Sequence, residues 1–136
     1  MGTRRLAREC ALKILYQLDL SGMLPVEAES LFWKEFPASQ EVRDFAKNLI
    51  DGVMGELEKI DLLLARHSAH WKLNRMAVVD KNILRLAIYE LEHCTDIPAK
   101  VTLNEAIEIG KGYGSEESSA FINGVLDKIA KEMGKE

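Results

Sequence analysis

The sequence predicts an all-α protein of about seven helices, and three observations carry that reading. Prolines occur only at Pro25, Pro37 and Pro98. Between them apolar residues recur at intervals of three and four, the period of a helix with one buried face. No segment shows the apolar–polar alternation of a strand.

Taken in order, the first helix is predicted from about Thr3 to Leu20, with Leu6, Ala7, Cys10, Ala11, Ile14, Leu15 and Leu18 in one stripe and Gly22 as its stop. A short helix follows from Pro25 to Phe36, placing Leu31, Phe32 and Phe36 inward, and Pro37 breaks it. Ser39 is positioned to cap a third helix reaching about Met54, whose core side holds Val42, Phe45, Ala46, Leu49, Ile50 and Val53. Gly52 and Gly55 weaken its end. A fourth helix, Glu56 to about His67, turns Leu57, Ile60, Leu63 and Leu64 inward, and Trp71 anchors the polar turn after it.

The segment VVDKNILRLAIYELEHC, Val78 to Cys94, is apolar around most of its circumference, as expected of a central helix surrounded by neighbours. Thr102 followed by Glu105 forms a capping-box pattern that starts a sixth helix, Thr102 to about Lys111, ended by Gly110, Gly112 and Gly114. Ser115 is the expected cap of the last helix, where Phe121, Ile122, Val125, Leu126, Ile129 and Met133 line up. No repeat, low-complexity tract or long linker divides the chain, so residues 1–136 read as one domain.

With 136 residues, 47% of them apolar, the chain can bury a core without metal or disulfide support. Cys10 and Cys94 fall inside helical patterns and read as reduced, buried thiols. There is no long uncharged apolar run, and arginines followed by an amphipathic pattern stand in place of a signal-peptide core, so the expectation is a cytoplasmic protein that neither spans nor anchors to a membrane. The net charge of −4 conceals an asymmetry: residues 1–16 carry Arg4, Arg5, Arg8 and Lys13 against Glu9, a net of +3, which leaves −7 for the remainder. A polyanion should approach the N-terminus.

On a helical wheel Arg4, Arg8, Leu12, Arg5 and Tyr16 fall along one flank of the first helix, beside its buried stripe. Guanidinium forks match phosphate, and both guanidinium and phenol rings stack on bases, which suits single-stranded RNA. The commoner arrangement is plainer: terminal arginines that solvate a helix start, where their charge opposes the macrodipole. The turn KGYG, with Lys111 and Tyr113, lacks the Lys-Ser/Thr continuation of a phosphate-binding loop and follows a helix, so it reads first as a helix C-cap. Phe121 reads as core unless it projects sideways to stack on a base. His67 and His70 are three apart, but no carboxylate or cysteine completes a metal set, and both are assigned to the surface. No nucleophile elbow, paired-carboxylate motif or Cys-x-x-Cys supports an enzyme, and no cofactor or metal is expected.

The segments RxxARECALKILYQ, WKLNRMAVVDKNILRLAIYEL, DIPAKVTLNEAIEIGKGYG and SSAFINGVLDKIA, in that order from Arg4 to about Ala130, together resemble the NusB family of transcription antitermination factors. The resemblance implies a three-helix N-terminal sub-bundle packed on a four-helix C-terminal one. It also implies a heterodimer with NusE, a protein of the small ribosomal subunit, that binds the boxA element of nascent RNA and helps RNA polymerase read through terminators in ribosomal operons. Carried onto this chain, the family's arginine motif falls on Arg4, Arg5 and Arg8, with Tyr16 beyond. Its second RNA-contacting region falls on Lys111, Tyr113, Glu117, Ser118 and Phe121, Glu117 standing where aspartate is common. Its partner surface falls around Asn74, Met76, Asp80 and Arg85. The alternatives are an RNA-binding domain serving ribosomal RNA methylation, against which the absence of a G-x-G-x-x-G cofactor pattern argues, and a homodimer with its arginine face hidden.

Overall fold

A computed structural model of the chain describes residues 2–68 and 72–135. The turn expected at Trp71, and His70, lie outside the described residues. Among those described, the chain forms seven α-helices and no strand: α1 (Thr3–Ser21), α2 (Pro25–Glu35), α3 (Gln40–Gly55), α4 (Leu57–His67), α5 (Val78–His93), α6 (Ala99–Tyr113) and α7 (Ser118–Glu132), with a single 3₁₀ turn at Leu73–Arg75 before α5.

Helix α1 packs on α2 and α3 to form the first sub-bundle, and α5 lies among α4, α6 and α7 in the second. The two halves meet where α1 and α3 cross α5. Ile14 of α1, Leu49 of α3, and Leu84 and Ile88 of α5 are fully buried. Burying side chains of this size contributes about 1.5–3 kcal/mol each. The expected helix signals hold at Gly22, which takes φ 70° and donates its N–H to the Leu18 carbonyl, and at Ser39, whose hydroxyl accepts from the Val42 N–H at 3.2 Å. Cys10 and Cys94 are buried free thiols.

Two buried arginine forks hold the halves together. Arg8 of α1 donates through Nε and Nη2 to the Glu90 carboxylate of α5 at 2.7 and 2.8 Å, and the Thr102 hydroxyl of α6 reaches the same carboxylate at 3.4 Å. Arg85 of α5 donates to both oxygens of Asp61 on α4 at 2.9 Å and to Asp19 on α1 at 3.1 Å. Such pairs need not outdo a well-packed apolar replacement, but losing one partner strands a buried charge. They tie specific helices in one register.

Several boundaries differ from the expectation, each for a tertiary reason. Helix α6 begins three residues early, at Ala99, because Pro98 supplies an extended entry and its carbonyl accepts the first turn's N–H groups. Thr102 and Glu105 do not form a capping box; their side chains are drawn to Glu90 and Arg5. Of the three glycines only Gly114 ends α6, as its C-cap, donating its N–H to the Gly110 carbonyl; the helix continues through Gly110 and Gly112. A Cβ at Gly110 would lie 2.9 Å from the Ile122 side chain, so the missing side chain lets α6 approach α7. At α7 the cap runs in reverse: Ser118, not Ser115, supplies the hydroxyl, accepting from the Ser115 N–H at 2.9 Å and donating to Asp80 at 2.6 Å. On α2 the buried positions are Ala28 and Glu29, while Leu31 and Phe36 stand about half exposed, because the helix lies at the rim with one side against solvent. On α1, Leu6 is exposed and Leu12 buried, so the buried stripe is rotated toward Arg8. His67 is half-buried and pairs with Glu132 at 2.7 Å.

Candidate nucleic-acid interface

The rotation of α1 divides its arginines. Arg8 is turned under the surface, 5% exposed, with its fork committed to Glu90 and Glu105 3.7 Å away. Desolvation pulls its pKa down, but the hydrogen bond and charge of Glu90 outweigh it, so the group stays fully charged. The reading of Arg8 as a direct phosphate contact is therefore revised: it is a positioning residue in the seam. Arg5 is about half exposed and holds the Glu105 carboxylate bidentately at 2.9 and 2.6 Å. That hydrogen bond holds Arg5 above its ordinary pKa and Glu105 below the usual carboxylate range. Arg4 is the most open of the three; its Nη2 lies 3.3 Å from the exposed Asp96 and its guanidinium sits 4.9 Å from the Phe45 ring centroid. A cleft of about 440 Å³ opens between them, lined by Arg4, Arg5, Arg8, Ile97, Val101 and Glu105.

Farther along the outward flank, Glu9, Lys13 and Tyr16 follow Arg5 at helical spacing, and Tyr16 is 40% exposed. The end of α6 comes to the same place. The half-exposed Tyr113 ring lies 5.8 Å from Lys13 Nζ, and burial with the charge of the adjacent Glu9 raises the Tyr113 hydroxyl's pKa. Lys111 is exposed and pairs with Glu108 at 3.0 Å. The fold thus brings Arg4, Arg5, Tyr16, Lys111 and Tyr113 to one side of the molecule, mixing cations with open aromatic rings.

The remaining residues of the second region face elsewhere. Ser118 is 1% exposed and acts through its hydrogen bond to Asp80. The exposed Glu117 and half-buried Phe121 line a cavity of about 290 Å³ with Arg75, Met76, Asp80 and Ser115. Of the expected partner residues, Asn74 is exposed, whereas Met76, Asp80 and Arg85 are each at most 9% exposed. Arg85 is locked to Asp61 and Asp19 beneath the surface, and Asp80 accepts from Ser118 at the start of α7. Sequence reasoning missed Arg75, which sits at the mouth of this cavity, and Lys13, which it counted only as charge. The signal for Lys13 was its place two helical turns beyond Arg5.

No described helix is long and apolar enough to cross a membrane. Across residues 5–131 the chain matches the model of the NusB family. It is 47% identical over 136 residues to the transcription antitermination protein NusB of Desulfatibacillum aliphaticivorans, covering all of this chain and 95% of that protein. Among solved structures, NusB of T. maritima superposes with a TM-score of 0.88 at 42% identity, covering 95% of this chain and 91% of that one. A chain from a complex of the antitermination factors NusB and NusE with double-stranded RNA superposes with a TM-score of 0.88 at 29% identity, covering 97% and 98%. With its helix order, its two sub-bundles and nearly its whole length matched, this chain belongs to the NusB family.

Proposed function

We propose that this protein is a non-catalytic antitermination factor that works in the cytoplasm, binding boxA RNA together with the small-subunit ribosomal protein NusE so that RNA polymerase reads through terminators. The observation that carries this is the α1 flank of Arg4, Arg5, Lys13 and Tyr16, which Lys13 joins to the open Tyr113 ring at the end of α6, two residues after the exposed Lys111. Phosphates are attracted by Arg4, Arg5 and Lys111, while Tyr16 and Tyr113 offer ring faces to unpaired bases. Phosphate-lining roles are sequence-neutral; ring and edge contacts carry the discrimination. Glu117 and Phe121, which line the cavity with Arg75 and Met76, lie toward the partner surface instead. Arg8 and Ser118 serve RNA indirectly, the first by fixing α1 on α5, the second by fixing the start of α7.

NusE docks on the surface around the exposed Asn74 and Arg75, with Met76, Asp80 and Arg85 holding that surface from below. The solved relative with NusE and RNA supports this assignment of partners. Arg4→Glu, Arg5→Glu and Lys111→Glu combined should weaken boxA binding and flatten its salt dependence by about 0.7 logarithmic units per lost phosphate contact. Fluorescence anisotropy across a salt series reads both. Unchanged affinity and slope in the triple variant would refute this interface.

A further inference from the structure

Resting on that RNA-binding reading, we propose that Lys13 and Phe36 form an additional subsite for single-stranded RNA, which takes nucleotides flanking the recognised element. Lys13 Nζ lies 5.1 Å from the Phe36 ring centroid and 5.8 Å from that of Tyr113, so one ammonium joins the α6 side of the interface to the far end of α2. Phe36 is 48% exposed. Its ring is stacked nearly parallel on Phe32, with centroids 4.6 Å apart and planes at 17°, which holds it rigid without burying it. Beside it opens a groove of about 320 Å³ whose lining includes Lys13, Gln17, Leu31, Phe32, Glu35 and Phe36.

The chemistry favours an unpaired nucleotide over other occupants. An apolar peptide would take both the Lys13 ammonium and the Glu35 carboxylate of the groove out of water, a desolvation that an apolar contact does not offset. A strand running along the α1 flank instead delivers a phosphate to Lys13 and the next base to a preformed aromatic plane. Stacking accepts every base because each has a π-face, so this subsite adds affinity without sequence preference. Gln17 offers an amide to a base edge. Glu35 in the groove and Glu9 near Tyr113 repel phosphate, so the phosphate is drawn to the Lys13 ammonium.

The test compares boxA-length RNA with the same RNA extended by a few nucleotides at its 5′ or its 3′ end, each bound to the full chain in the presence of NusE. An extension at one end should tighten binding by about tenfold, the range of one base–aromatic stack. Phe36→Leu, which keeps an apolar contact with Phe32, should remove most of that gain and leave the boxA-length RNA bound as before, and Lys13→Gln should also remove most of the gain. A 2-aminopurine in the extension should be quenched by the parent chain and not by Phe36→Leu. The subsite is overturned if neither extension tightens binding, or if Phe36→Leu retains the gain. It is equally overturned if Phe36→Leu abolishes self-association while the length dependence persists, for the groove would then be a protein contact. Failure of the boxA-length RNA itself to bind would instead bring down the functional reading on which the subsite rests.

Discussion

Replacing Arg8 by methionine separates a structural role from a direct RNA contact. Arg8 is 5% exposed and makes two short hydrogen bonds to Glu90, whose side chain is 2% exposed. Removing one partner of a buried pair costs about 3–5 kcal/mol, because the surviving carboxylate stays desolvated. An unfolding entropy near 2.1 cal/mol/K per residue, applied to 136 residues, turns a loss of about 4 kcal/mol into a fall in Tm of roughly 14 °C. A domain of ordinary stability, about 5–15 kcal/mol, survives that loss only narrowly. The double variant Arg8→Met, Glu90→Leu replaces the pair with apolar groups and should recover most of the deficit, a non-additivity expected of side chains in contact. Thermal and urea unfolding followed by circular dichroism measure both variants. A single variant that melts within about 3 °C of the parent would refute the argument, since it would show the buried fork to be worth no more than a solvated ion pair.

Three further outcomes follow from the same geometry. Glu105→Gln frees the Arg5 fork for phosphate, so RNA affinity at low salt should rise and the salt slope steepen by about 0.7; an unchanged slope in anisotropy titrations would mean that Arg5 does not meet RNA. Burial, with the neighbouring charge of Asp51, pushes the Glu29 carboxyl up to about 7 from its ordinary value of 4.5. Because the raised group binds its proton more tightly in the fold than in the unfolded chain, its contribution is fully present below pH 4.5 and is lost as pH rises through about 7. Glu29→Gln should therefore flatten that part of the Tm–pH profile and gain most above neutrality, and a parallel profile would count against it. Asp80→Ala strands the Ser118 hydroxyl and should lower stability by about 1–3 kcal/mol. It should also weaken NusE binding, while Asp80→Asn retains an acceptor and loses less. Calorimetry with NusE reads the second effect, and equal behaviour of the two variants would argue against the hydrogen bond.

Fold class and helix order were legible in the sequence because both rest on local period, and the long apolar run of α5 announced its central place. What period does not contain is the partner that decides a borderline position. Arg4 and Arg8 lie one turn apart and look equivalent on a wheel, yet Glu90, 82 residues away in the chain, draws Arg8 under the surface while Arg4 stays open. The same limit governs Thr102 and Glu105, where a plausible capping box gave way to carboxylate and guanidinium partners on other helices. Phe36 was expected inward on apolarity alone, but α2 lies at the rim and leaves the ring half open. In the candidate interface the residue types were readable; which of them share a face and which meet solvent was not. Asp80 and Arg85 show this most clearly, expected on an open surface and found almost wholly buried in hydrogen bonds to Ser118 and Asp61.

The most direct measurement is a titration of the full chain, alone and with NusE, into boxA RNA, a scrambled single strand and a boxA-containing duplex at two salt concentrations. Preferential binding of single-stranded boxA, strengthened by NusE and weakened by salt, is the expected result. Equal affinity for boxA and scrambled RNA, with no change when NusE is added, would contradict the account.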